Sequence, residues 1–332
     1  MGNAAPPRGK RVLAGLQPSG AAHIGNYFGS MRQMVALQEQ NRGTYFIADL
    51  HSLNSIRDAE VRRRYTLDMA LDYLAVGLDP ARSLLYRQSD LLEVSELSWI
   101  LTTLTPMGLL ERCHAYKDKL EHGAKPDAGL FAYPVLMAAD ILIHRAQLVP
   151  VGQDQKQHIE VARDIAVKFN LTYREVFELP EPYILEGFAI IPGTDGQKMS
   201  KTRPNAIDVF AGQKQLRKQV MGIVTDSTPV EGPKDPAATV FQLWNLFADA
   251  DERRCMAERA RKGGLGYGDV KKDLLTRMTA HFAPMRERRE RYATRPDEVE
   301  GILADGARRA RALGAPVLAA ARDASGLGPP ER

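Results

Sequence analysis

Strands and helices alternate through the first two hundred residues, and this alternation narrows the possible folds more than any other feature of the chain. "RVLAGL" (11–16) reads as a buried strand, followed by the turn "QPSG" and a helix through "NYFGSMRQMVALQEQ". "TYFIADL" (44–50) is a second buried strand, and "DAEVRRRYTLDMALDYLAVG" (58–77) is a helix ended by Gly77. "RSLLYRQ" (82–88) is a third strand, and "SELSWILTTLT" is a helix stopped before Pro106. A β-α-β-α-β order predicts an α/β fold with a parallel sheet covered by helices on both faces. Sites in such sheets lie beyond the carboxyl ends of the strands.

Residues 107–170 read as mainly helical, broken by the loop "EHGAKPDAG" and the short strand "AQLVPVG". "GFAIIPGTDGQKMSKTRPN" returns as a short strand and a loop flanked by Gly and Pro. Past residue 206 the strand signal ends and long helical stretches such as "KKDLLTRMTAHFAPMRERRERYA" dominate, so a boundary is expected between 1–205 and 206–332. Charge divides similarly. Residues 253–332 hold 18 Lys/Arg against 11 Asp/Glu, a net +7, on a body that carries −3. Such a basic helical end suits a polyanion, although a solvated arginine-rich surface would give the same composition.

With 332 residues, 44% hydrophobic and 26% charged, the chain has the makeup of a soluble globular protein. No apolar run is long enough for a membrane span. "MGNAAPPRGKR" lacks a signal-peptide core and is expected to be a short disordered leader, with Pro6 where myristoylation needs Ser or Thr. Cys113 and Cys255 are isolated, which excludes a four-cysteine metal site and suits a reducing cytoplasm.

Three stretches carry chemistry. The first strand runs into "GLQPSGAAHIGNYFG", where a Gly/Pro turn and a helix start would expose backbone N–H groups suited to phosphate. There Gly15 and Gly20 permit close backbone approach, Gly25 leaves room, and His23 and Asn26 can face one ligand as donors. In "DGQKMSKTRPN", Lys198, Ser200, Lys201 and Thr202 can close over a triphosphate and follow charge onto a leaving group. Each also has a structural reading: strand–Gly-turn–helix units are common in structural roles, and any one of these lysines alone reads more simply as part of a solvated surface loop. In "YPVLMAADILIH" (133–144), Asp140 sits mid-helix among apolar residues, on one face with Tyr133 and Met137. A buried carboxylate needs a partner, either a ligand donor or a core arginine such as Arg145.

"HIGN" after the first strand and "KMSKT" after the last form the pair that marks class I aminoacyl-tRNA synthetases. "GLQPSGAAHIGNY", "LMAADIL", "VPVGQDQKQHIE" and "KMSKT", in that order, resemble the bacterial-type tryptophanyl-tRNA synthetases. The similarity continues through "LAVGLDP", "GLLERCHAYKDK" and "GLGYGDVKKDL", so it covers most of the chain.

The resemblance implies a Rossmann-like catalytic domain (1–205) with a helical insertion at about 107–170, and an α-helical C-terminal domain (206–332) that binds the tRNA anticodon. It implies activation of L-tryptophan with ATP, transfer to tRNA(Trp), a homodimer, a cytoplasmic location, and Mg2+ held by phosphates and water rather than by protein ligands. The tryptophan pocket would comprise Asp140, Tyr133, Met137, Gln155, Val149, Val151 and His51, with Asp140 accepting the indole N–H and Tyr133 and Gln155 taking the α-amino group. ATP would be bound by Gln17, Pro18, Ser19, Gly20, His23, Gly25, Asn26, Gly152, Asp154, Lys198, Met199, Ser200, Lys201 and Thr202. Lys198, Ser200, Lys201 and Lys119 would act on the phosphates during catalysis. Gln153, Thr202 and Arg203 depart from the Glu, Ser and acidic residue usual in the family. Tyrosyl-tRNA synthetase, a small-molecule nucleotidylyltransferase and a catalytically silent RNA-binding paralogue remain as alternatives.

Overall fold

The computed structural model describes residues 7–113, 116–117, 127–152, 155–184, 191–200 and 203–329. Five parallel strands form one sheet in the order β3-β2-β1-β4-β5: β1 (Arg11–Leu16), β2 (Arg42–Ile47), β3 (Leu84–Arg87), β4 (Leu148–Val151) and β5 (Glu181–Ile184). The chain builds outward from β1 through β2 to β3, then returns to the other side of β1 with β4 and β5. The strand order therefore reverses between β1 and β4. A crevice opens at the carboxyl ends of such a pair, where neighbouring connections leave in opposite directions.

The strands expected at 11–16, 44–50 and 82–88 are present within a few residues. The strand expected over "GFAIIPG" lies largely outside the described residues, and the fifth strand comes earlier, at Glu181–Ile184. Pro182 hides it from sequence reasoning, since proline cannot donate to a ladder and is found mostly at a sheet edge. β5 occupies such an edge.

The helices that bear on the site are α1 (Arg32–Gln38), α2 (Ala59–Ala75), α3 (Glu93–Thr102), α4 (Ala128–Ile143) and α5 (Lys156–Thr172). Asp58 caps α2 and Asp127 caps α4, each accepting a backbone N–H three residues on. After residue 206 the elements are helical: α6 (Gln213–Met221), α7 (Thr239–Asn245), α8 (Ala250–Lys262), α9 (Tyr267–Ala293) and α10 (Pro296–Ala324).

Two hydrophobic clusters make up the core, and both draw on residues before and after 206. One joins Ile24, Tyr27 and Met31 to Phe241, Met278 and Phe282; the other joins Leu97 and Ile143 to Ala310 and Val317. A short antiparallel bridge, His23 with Asp208, ties the start of the first helix to the segment behind the lysine loop. Arg289 of α9 binds Asp72 (2.7 Å) and Asp68 (2.8 Å) of α2.

Candidate active site

A cavity of about 400 Å³ lies at the β1/β4 reversal point. Its floor is the carboxyl end of β1 (Leu13 to Gln17), and one wall is β4 with Val149, Val151 and Gly152. Tyr133, Met137, Asp140 and Ile141 of α4 also line it, as do Gly29, Ser30, Gln33 and Met34. Gly29 and Ser30 belong to a π-helical turn, Tyr27–Met31, inserted ahead of α1. Such one-turn π segments are frequent at functional sites. Gly15 is required here by packing: a Cβ would lie 2.4 Å from the Phe46 ring, which itself lines the cavity.

Asp140 is fully buried. Its Oδ2 accepts a hydrogen bond from Gln88 Nε2 at 2.7 Å and lies 3.3 Å from His51 Nε2. Its Oδ1 is buried with no hydrogen-bond partner among the described residues. Burial raises the carboxyl pKa above the usual range, while hydrogen bonds from His51 and Gln88 pull it down and Asp49 pushes it up. Arg145, the alternative partner, is exposed and donates its backbone to Leu142 O, so no arginine neutralises Asp140. A buried acceptor left open on a cavity wall calls for a donor from a ligand.

His51 belongs to the turn Asp49–Ser52 directly after β2. Asp49 fixes that turn to the one following β3 by accepting from Ser89 N (2.9 Å) and Ser89 Oγ (2.5 Å). Tyr133 OH is 3.0 Å from His158 Nε2 on α5, and burial raises the phenol pKa to about 12. Gln17 also lines the cavity and donates to Ser55 Oγ at 2.6 Å.

The two phosphate-type stretches meet beside this cavity. His23 caps the helix start: its Nδ1 accepts from Asn26 N (3.2 Å), while His23 N donates to Asn26 Oδ1 (3.2 Å). An accepting Nδ1 places the ring proton on Nε2, which makes that nitrogen a donor. The Gly25 backbone packs on the loop of Met199, where an added Cβ would come 3.7 Å from Met199 Cβ and 2.9 Å from the His23 ring. Met199 turns its side chain into the core, whereas Lys198 is exposed. Asn205, almost fully buried, organises the loop: its Oδ1 accepts from Ser200 N (3.1 Å), and its Nδ2 donates to Asp195 (2.9 Å) and Lys198 O (3.2 Å).

A profile of class I tRNA synthetases (W and Y) matches residues 7–283. The tryptophan–tRNA ligase of Rhodopirellula baltica is 54% identical over 318 residues, spanning 96% of this chain and 99% of its own length. That of Fusobacterium nucleatum is 50% identical over 319 residues, with 96% and 98% covered. The solved tryptophanyl-tRNA synthetase of Campylobacter jejuni, complexed with ADP and tryptophan, superposes with a TM-score of 0.89 at 46% identity, covering 96% of this chain and all of that one. The chain belongs to the class I tRNA synthetases, in the tryptophanyl branch.

Within this synthetase fold, Asp140, Tyr133, Met137, Val149, Val151, Gly152, Gln155, His51 and Gln17 all line the one cavity. Pro18, Ser19, Gly20, His23, Gly25, Asn26, Lys198, Met199 and Ser200 lie outside its lining, on the first turn and the lysine loop. Lys119, Asp154, Lys201 and Thr202 lie outside the described residues. Sequence reasoning passed over Gln88, His158, Ser30, Gln33 and Asn205. Gln88 ends the third predicted strand, where strand-end position was the available signal; Asn205 closes "KTRPN" and looks like an ordinary turn residue.

Proposed function

We propose that this chain is a tryptophan–tRNA ligase that activates L-tryptophan with ATP to tryptophanyl-adenylate, releases pyrophosphate, and transfers the amino acid to tRNA(Trp). The observation that carries this reading is Asp140 Oδ1, a buried acceptor without a partner on the wall of a largely apolar cavity. Indole presents a large apolar face and a single N–H that only donates, so walls of Met137, Ile141, Val149 and Val151 plus one acceptor match it. Tyr133 and Gln155, on the same cavity, would meet the α-amino group.

The tryptophan carboxylate attacks the α-phosphorus of ATP in line, forming the acyl–phosphate bond as the bond to pyrophosphate breaks. A terminal ribose hydroxyl of tRNA then displaces AMP. Neither step needs a protein nucleophile; positioning and stabilisation of phosphate charge suffice. The His23 Nε2 donor and backbone amides of the first turn would hold the nucleotide, and Lys198, with Lys201, Ser200 and Lys119, would follow the charge onto pyrophosphate. Among the described residues no cluster of three His, Cys, Asp or Glu side chains forms a metal cage. Mg2+ would enter with the ATP phosphates, held mostly by phosphate and water, and would neutralise charge there.

The basic surface of α8 to α10 would receive the tRNA. A homodimer and a cytoplasmic location complete the reading. Leu92, Trp99 and Met107 around α3 expose large apolar side chains that could serve such a dimer, and no helix of the described residues is long and apolar enough to cross a membrane. ATP–pyrophosphate exchange tests the proposal. Exchange stimulated by tryptophan, followed by charging of tRNA(Trp), is expected; exchange driven equally by tyrosine, or none at all, would overturn it.

A further inference from the structure

We propose that Gln88 is a positioning residue for amino-acid selection, holding Asp140 so that Oδ1 is reserved for the ring N–H of the substrate. This rests on the tryptophan-activating function proposed above. Gln88 is fully buried at the carboxyl end of β3, and both ends of its amide are engaged. The Oε1 accepts from the His51 backbone N–H (3.4 Å), and the Nε2 donates to Asp140 Oδ2 (2.7 Å).

A flipped amide would set oxygen against carboxylate and NH2 against N–H, two repulsive contacts in place of two attractive ones. The backbone of the turn after β2 thus dictates which end of Gln88 meets Asp140. Oδ2 is occupied on two sides, by Gln88 and by His51, and Oδ1 alone remains open.

The groups facing Asp140 are few. His51 and Asp49 come from the turn after β2, and Tyr86 comes from β3, with His144, just past the end of α4, hydrogen-bonded to it at 2.7 Å. Burial pushes the Tyr86 phenol well above its usual range and the His144 imidazole down to about 4, so both are neutral near pH 7. Among the described residues, no Lys or Arg stands among the groups acting on the carboxylate, whereas the Gln88 amide and His51 favour its ionised form. Removing that amide raises the carboxyl pKa further. The form that best accepts an indole N–H is then lost at a higher pH.

The test is Gln88→Met, assayed by pyrophosphate exchange from about pH 5 to about pH 9. Substrates are tryptophan and the analogue whose ring N–H is replaced by sulfur. The KM for tryptophan should rise about tenfold to a hundredfold, as expected for losing a hydrogen bond to a charged group, with a much smaller change in kcat. Preference for tryptophan over the sulfur analogue should fall, and the acid limb of kcat/KM should move to higher pH. An unaltered preference and acid limb would overturn the proposal, whatever the KM. Should Gln88→Met fail to fold, Gln88→Glu sets a second carboxyl against Asp140 and must also shift the acid limb upward; an unmoved limb overturns the proposal. A wild-type protein with no preference for tryptophan would instead sink the underlying function.

Discussion

At the scale of single residues, the proposed roles separate recognition from chemistry. Asp140 is buried and fixed, whereas Lys198 is exposed on a loop. A side chain that selects must be rigid, because a loose acceptor would also serve wrong ligands; one that follows moving charge must be free to travel. Lys198→Ala should therefore slow tryptophan-dependent pyrophosphate exchange by roughly 10²–10³, the usual loss for one donor to transition-state charge. Tryptophan binding measured without ATP should be unaffected. Equal exchange rates in variant and wild type would remove Lys198 from the chemistry. Asp140 was legible in the sequence because a lone acid in an apolar helix is conspicuous. Gln88 was not, since its partner is 52 positions away and only the sheet brings them together.

At the scale of elements, strong local patterns survived and weak ones did not. β1 to β3 and α2 matched their hydrophobic runs, and α2 starts at its Asp58 cap. β5 was masked by Pro182, and the π-helical turn Tyr27–Met31 leaves no mark in the hydrophobic period. The paired motifs were readable as strings, but not their mutual support: Gly25 against Met199, and Asn205 bonded across the loop. Asn205 ties Asp195, the Lys198 carbonyl and Ser200 N together, so its loss should misplace the groups proposed to handle phosphate. Asn205→Ala is expected to lower the exchange rate by about tenfold to a hundredfold, the cost of misplacement by about an ångström. Tryptophan affinity in equilibrium binding should stay within about twofold, because Asn205 is outside the cavity lining. A fall in affinity matching the fall in rate would show that the loop supports the amino-acid pocket too.

For the molecule as a whole, the helical end is fastened directly to the sheet. A Cβ at Gly306 of α10 would lie 2.0 Å from Leu85 O of β3, an edge strand, so the helix backbone rests on the strand backbone. That contact covers an edge that would otherwise present unpaired backbone groups. Neither neighbour can give way cheaply. Gly306→Val should push α10 off β3 and destabilise the fold by about 1–3 kcal/mol or more, seen as a lowered Tm. An unchanged Tm would mean that α10 docks more loosely. Composition foretold the helical, basic character of this end, but not its shared core with the sheet, because α10 packs against residues more than two hundred positions earlier.

The central claim is that Asp140 accepts the ring N–H of tryptophan. Calorimetric binding of tryptophan and of its sulfur-ring analogue to wild type and to Asp140→Ala isolates that contact. The wild type should prefer tryptophan by roughly 2–4 kcal/mol, and the variant should bind both ligands weakly and about equally. A preference that persists undiminished in Asp140→Ala would contradict the account.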